Sequence, residues 1–217
     1  MSFYQVFAFL RDLNKNNNKA WMDEHRDAYR EVRSFMLEWI ENLDSRLQKI
    51  DPDYAPTPAN KAITRINNNL VYQPNAPTYR NYIGTELNKG KRKISFYVHV
   101  SIKRCFIDGG FYRPASDILK SIREAIDYDG EEFKKIIGRK SFVDTFGSLD
   151  DEDTLKAAPK GFSTNHPHAD LLRLKSFTVV HPITQQEIMA DGFTDKVVSI
   201  YQEILPFKQY LEQAVSV

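Results

Sequence analysis

The run from Ile94 to Ile102 constrains the fold more than any other stretch of this chain. Ile94, Phe96, Val98, Val100 and Ile102 alternate with Ser95, Tyr97, His99 and Ser101. Successive side chains of an extended strand point to opposite faces, so a period of two gives one apolar and one polar face. The apolar face must then be buried against a second layer. Cys105 to Ile107 resumes an apolar run after Lys103-Arg104, and Gly109-Gly110 is expected to break it. Pro114 opens a helix with Ile118, Leu119, Ile122 and Ile126 on one side. The whole unit reads as a hairpin feeding a helix, with apolar faces available to one core.

The flanking segments extend this pattern. Ser2 and Gln5 have capping-box spacing, and Phe3, Val6, Phe7, Leu10 and Leu13 recur at helical intervals. The Asn run from Asn16 to Asn18 is a turn, and Asn18 can cap the next helix. That helix carries Trp21, His25, Ala28, Val32, Phe35, Trp39, Leu43 and Leu47, which predicts one long rod. The Pro-rich 51–58 segment ends it. Residues 62–66 and 82–87 are short strand candidates, so 60–108 reads as an antiparallel meander. Beyond Pro114, Gly130 and Gly138 bound a second short helix. Segments 169–174, 184–190 and 193–205 are helical, and 177–180 is a strand. The expected fold is a single α+β domain over 1–217, an antiparallel sheet with a long central strand packed by helices. Its parts are a helical 1–50, a basic β-meander at 60–113 and a mainly helical 114–217.

Charge is unevenly placed. The formal net charge is +1, which argues against a wholesale nucleic-acid or membrane-surface role. Residues 60–113, however, hold ten basic and two acidic residues, a net of +8, whereas 114–217 hold twelve basic and seventeen acidic, a net of −5. The plain reading is that these surfaces solvate and attract one another within the fold. A single cysteine, Cys105, allows no intrachain disulfide and lies in an apolar strand, where a buried, inert thiol is expected. The N-terminus lacks a basic leader followed by a cleavage site and reaches Arg11 too soon for a membrane span. A cytoplasmic location with no membrane partner is expected.

Several of these residues together resemble a known family. They are Asn16-Asn-Asn18 with Trp21 and Tyr29, Arg65-Ile-Asn67, Tyr79-Arg80, and Gly109-Gly110 with Pro114. Leu155-Lys-Ala-Ala-Pro-Lys-Gly161 runs on through His166-Pro167 to Leu171-Leu-Arg-Leu-Lys-Ser-Phe177. Over nearly its whole length the chain is similar to domain of unknown function 2461, and the Pro-Lys-Gly to Lys-Ser-Phe block is the most specific part. The family pattern after Arg65 carries charges where this chain has Asn68, Asn69, Val71, Asn75 and Ala76, whereas Arg65, Tyr79 and Arg80 match it. The resemblance implies a family and no reaction.

Four constellations bear on function. His166-Pro-His168 with Asp170 places metal-ligand types close together, yet no second cluster completes a zinc pattern. A helix start accounts for the same residues, so no metal is expected. Pro159-Lys160-Gly161 can present a lysine at a tight turn, but it lacks the glycine run and Lys-Ser/Thr ending of a phosphate loop. Lys89, Lys91, Arg92 and Lys93 suit either phosphate contacts or a solvated hairpin tip. Tyr97 and His99 share the polar face of the long strand. If the meander pairs in order, Arg65, Tyr79 and Arg80 join them over one sheet face, a basic, aromatic-lined concavity suited to an anion. The alternative is a face covered by a helix, with Tyr and His hydrogen-bonded inside.

The sequence therefore points to a ligand site for an anionic small molecule. Arg65, Arg80 and Lys160 would hold the anion, Tyr79 and Tyr97 would orient it, and His99 or His166 would carry a proton if the site is catalytic. Arg65 is expected to be partly buried. No cofactor is implied. A noncatalytic module that binds nucleic acid or a protein is the alternative, and it is not favoured.

Overall fold

The computed structural model describes residues 1–216. Its helices are α1 (Phe3–Lys15), α2 (Lys19–Glu24), α3 (Arg26–Ile50), α4 (Ala59–Ala62), α5 (Ser116–Ile137), α6 (Lys140–Phe146), α7 (Ala169–Leu172), α8 (Gln185–Met189) and α9 (Phe193–Ala214). Its strands are β1 (Tyr82–Leu87), β2 (Ser95–Ser101), β3 (Cys105–Phe111) and β4 (Phe177–Ile183). They form one antiparallel sheet in the order β1-β2-β3-β4, packed by helices. This is the α+β architecture that the sequence predicts. Strand β2 has a neighbour on each side, so its backbone donors and acceptors are used along both edges. Phe96, Val98 and Val100 are buried, as the alternation requires, while Ser95, Tyr97 and His99 are half-buried.

Packing divides the chain into two compact units. One comprises Met1–Leu87, Tyr97–Ile107 and Pro182–Val198; the other comprises Asn88–Phe96, Asp108–His181 and Ser199–Val217.

In the first unit, Ser2 and Gln5 form the expected capping box, with Gln5 Oε1 accepting the Ser2 N–H at 2.8 Å. α1 packs on α3. Phe3 sets its ring edge-on to Phe35, Trp39 and Phe193, with centroids 5.2, 5.4 and 5.1 Å away. Trp39 Nε1 donates to Thr194 Oγ1 at 3.0 Å, so the indole is satisfied as well as buried. The long rod expected from residue 18 onward is two helices, broken at His25. The His25 imidazole stacks on Trp21 at 4.1 Å and its Nδ1 reaches the Trp21 carbonyl at 2.9 Å, a carbonyl already bonded to the His25 N–H. The backbone leaves helical geometry at His25, with φ −106° and ψ 21°. The strand expected at 62–66 is reduced to antiparallel bridges, Ile63 to Thr85 and Asn67 to Tyr79, after the single turn of α4.

In the second unit, Gly109-Gly110 does not end the strand. β3 continues through both to Phe111. A Cβ on Gly110, at φ +139°, would run into the Phe177 carbonyl, so glycine permits the close approach of β4 instead of breaking β3. The expected break near Gly130 is a kink at Asp129 within α5, with φ −145° and ψ 61°. α9 keeps helical pairing through Pro206. Glu212 accepts from Lys93 Nζ at 2.8 Å, Lys208 Nζ at 2.9 Å, the Ile94 N–H at 3.1 Å and Asn88 Nδ2 at 3.2 Å. Among the described residues no helix is long and apolar enough to cross a membrane.

Val98 is fully buried on the central strand. Replacing it with Asp introduces an unpaired buried carboxylate, which costs several kcal/mol against a total stability of about 5–15 kcal/mol. Val98→Asp is therefore expected to abolish the cooperative thermal transition seen by circular dichroism. A transition preserved near the wild-type temperature would contradict the core face assigned to β2.

Candidate functional site

The polar face of β2 carries a row of rings across three strands. His99 stacks on Phe106 of β3 with centroids 4.7 Å apart and planes 12° from parallel. On its other side lies Tyr82 of β1, at 4.5 Å and 32°. Arg80 places its guanidinium over Tyr82 at 5.6 Å, and Arg104 does the same over Phe106 at 5.2 Å. The result is a strip that reads cation, ring, ring, ring, cation. Its three rings span two strand spacings, about 10 Å. All of it belongs to the first unit.

Each member is held from beneath or beside. Burial of Val98 and Val100 turns Tyr97 and His99 to the opposite face. The Tyr97 phenol lies over Gly84 of β1, where any Cβ would overlap it, and its hydroxyl is 3.2 Å from His99 Nδ1. Arg80 is half-buried, and its Nε donates to Asn68 Oδ1 at 3.2 Å. The backbone just before Arg80 is clamped by an amide: Asn17 Oδ1 accepts the Tyr79 N–H at 2.9 Å and Asn17 Nδ2 donates to the Tyr79 carbonyl at 2.8 Å. Asn17 thus pairs with Tyr79 as a neighbouring strand would.

The residues expected to form the site fare differently. Tyr97, His99 and Arg80 meet on this face. Tyr79 is buried, which leaves it a scaffold residue and not a ligand contact. Arg65 is exposed, where partial burial was expected, because the 62–66 segment meets β1 through single bridges and no layer covers it. Among the described residues, Arg65, Arg80 and Arg104 have no carboxylate partner. Tyr82, Phe106 and Arg104 were missed. Phe106 was readable, since period two separates it from the buried Cys105 and Ile107, but nothing local indicates that it meets His99.

Lys160 and His166 lie in the second unit. Lys160 is exposed in a turn closed by the Phe162 N–H to the Pro159 carbonyl at 3.1 Å, with Gly161 at φ +99°. His166 Nδ1 accepts the His168 N–H at 3.1 Å, and its Nε2 lies 3.0 Å from Asp127 Oδ1. Both ring nitrogens are thus engaged in holding the 166–168 segment on α5. His168 is buried, with Nδ1 3.7 Å from Glu131 Oε1. No group of three or more His, Cys, Asp or Glu side chains among the described residues could hold a metal ion. At the 88–94 connection, Lys93 is committed to Glu212 and not to solvent phosphate.

His99 is the titratable group of the strip. Burial, and then the Arg104 guanidinium, lower its pKa from 6.5 to about 4. It is therefore a neutral imidazole at pH 7, able to exchange hydrogen bonds but a weak proton acceptor. A folded pKa below the unfolded one means that the unfolded chain binds the extra proton first. Stability is then intact above about 6.5 and declines as pH falls toward about 4. The His99 ring resonances are expected to titrate with a midpoint near 4, and His99→Gln is expected to flatten the fall in melting temperature over that window. A midpoint near 6.5 would contradict the buried, cation-flanked environment.

Neither a curated protein nor a solved structure matches the chain. A family model does match, over residues 5–210, and it is described as a conserved hypothetical protein, DUF2461. That span takes in Asn17, Tyr79, the whole aromatic strip and both units of the fold. The chain belongs to the DUF2461 family of conserved hypothetical proteins.

Proposed function

We propose that the aromatic strip of β1, β2 and β3 is a binding face for an anionic ligand that carries a flat or apolar group. The observation that carries this reading is the set of arginines Arg65, Arg80 and Arg104, none with a carboxylate partner among the described residues. From Lys61 to Thr85 the sequence contains no Asp or Glu at all. A guanidinium held over an aromatic ring keeps its N–H edge for a planar oxyanion, which it can meet with two parallel hydrogen bonds. Arg80 and Arg104 each stand over a ring, 5.6 and 5.2 Å from its centroid, at the two ends of the strip. Between them the half-exposed edges of Tyr82, His99 and Phe106 offer apolar contact. The neutral His99 adds no charge there and supplies a hydrogen-bonding nitrogen. With its low basicity, His99 supports recognition more than proton abstraction.

Inorganic phosphate and adenosine monophosphate test this reading by thermal shift. Binding to the folded state alone raises stability by about 1.4 kcal/mol at ten times Kd, which is roughly 3–6 °C for a chain of this size. The rise is expected to saturate in wild type and to be largely lost in Arg65→Met and Arg104→Met, which keep an apolar stem and remove the charge. Chloride at matched ionic strength and a neutral osmolyte control for screening and exclusion effects. Identical responses from wild type and both variants would overturn the assignment.

A further inference from the structure

We infer that the anion taken by this face is a single-stranded nucleic acid, and that the 67–78 loop extends the site as a stacking arm. The inference rests on the anion-binding reading above and adds the class of ligand. Its starting point is the loop's tip. Leu70, Val71 and Tyr72 are consecutive and exposed, Val71 at 86% and Tyr72 at 83%. Such apolar exposure is the ordinary fate of a floppy loop, but this loop is internally braced. The Asn68 N–H donates to the Thr78 carbonyl at 3.1 Å, and Asn68 Nδ2 donates to the Pro77 carbonyl at 2.7 Å. Asn69 takes three more donors: the Val71 N–H on its side chain at 3.2 Å, and the Tyr72 and Gln73 N–H groups on its carbonyl at 3.2 and 3.0 Å. The backbone spends its hydrogen bonds inward and holds the apolar side chains outward, an arrangement that marks a contact surface.

The loop is also joined to the strip. Asn68 Oδ1 accepts from Arg80 Nε at 3.2 Å, and Arg80 lies over Tyr82. An unbroken series of contacts thus runs from the loop through Arg80, Tyr82, His99 and Phe106 to Arg104. A cation stands over each end ring, and the loop that carries Tyr72 is tied to the strip through Asn68 and Arg80. A single strand presents the complement, phosphates recurring along a backbone with flat bases between. Duplex DNA is read by inserting a helix or ribbon into a groove, which a braced loop on an open sheet face does not offer. A protein partner would also cover Leu70 to Tyr72. The core of such an interface is depleted of charge, however, whereas arginines recur along this surface.

The test is fluorescence anisotropy with a labelled thymidine oligonucleotide of about 15 nucleotides, beside the thermal shift with adenosine monophosphate. Wild type is expected to bind the oligonucleotide with log affinity falling against log salt at a slope of about −2, the value for three phosphate contacts on a single strand. Tyr72→Ala is expected to weaken the oligonucleotide by roughly tenfold, one base stack, and to leave the mononucleotide response unchanged. Arg65→Met is expected to make the salt slope shallower by about one contact. Tyr72 and Arg65 are both exposed, so both variants keep the fold. If the mononucleotide stabilises the protein but the oligonucleotide binds no tighter, the inference fails while the anion-binding reading stands. Equal oligonucleotide affinity in wild type and Tyr72→Ala also overturns it. If neither ligand binds, both readings fail.

Discussion

Strand β2 is hydrogen-bonded on both edges, and its period of two leaves no freedom over which side chains face the core. A slip of one residue would bring Tyr97 and His99 inward and expel Phe96, Val98 and Val100, so the register is fixed by hydrophobic burial. That one constraint also fixes the opposite face. With the register set, His99 falls between Tyr82 and Phe106, and Tyr97 falls over the glycine of β1. The ring strip is therefore assembled by core packing. It also sets the electrostatics. An imidazole covered by two rings and flanked by Arg104 resists protonation, so the middle of the strip stays neutral while its ends are charged.

The distribution of carboxylates decides which cations remain available. In the second unit acids are plentiful and pair with several cations. Lys93 and Lys208 go to Glu212, while Arg113 and Lys175 go to Asp153, at 3.0 and 2.7 Å. The Asp153 carboxyl is held below its ordinary range, first by the Lys175 hydrogen bond. The Glu212 cluster is buried, with Lys208 fully covered, so its worth lies in fixing the 88–94 connection more than in net stability. Acids are missing from 61–85 in the first unit, and among the described residues Arg65 and Arg80 have no carboxylate partner.

Asparagine resolves the conflict between ordering that region and neutralising it. An amide offers a donor and an acceptor without charge. Asn17 clamps Tyr79 from both sides, Asn81 bonds Asn14 at 2.9 Å, and Asn68 braces its own loop while accepting from Arg80. Aspartates in these places could accept but not donate, so they would lose the bonds to the Tyr79 and Pro77 carbonyls and would also put negative charge beside the arginines. The Asn-rich stretches thus order this region without adding negative charge beside its arginines.

Properties carried by adjacent residues are set by the sequence alone. Alternation made β2 a strand with a core face, Thr184 and Glu187 capped α8, and the exclusion of acids from 61–85 made that segment basic. Family membership is likewise a property of the linear order. The tertiary structure decided what depends on partners distant in the chain. Gly109-Gly110 reads locally as a break, and only the approach of β4 explains why the strand runs on. The long rod is broken at His25, where the backbone leaves helical geometry although the apolar spacing runs on. Arg65, expected half-buried, is exposed because nothing packs over its segment. Tyr82, Phe106 and Arg104 join His99 because strand order and register bring them there. Period two assigns a side chain to a face, but the neighbour it meets on that face is chosen by which strand pairs alongside and at what offset.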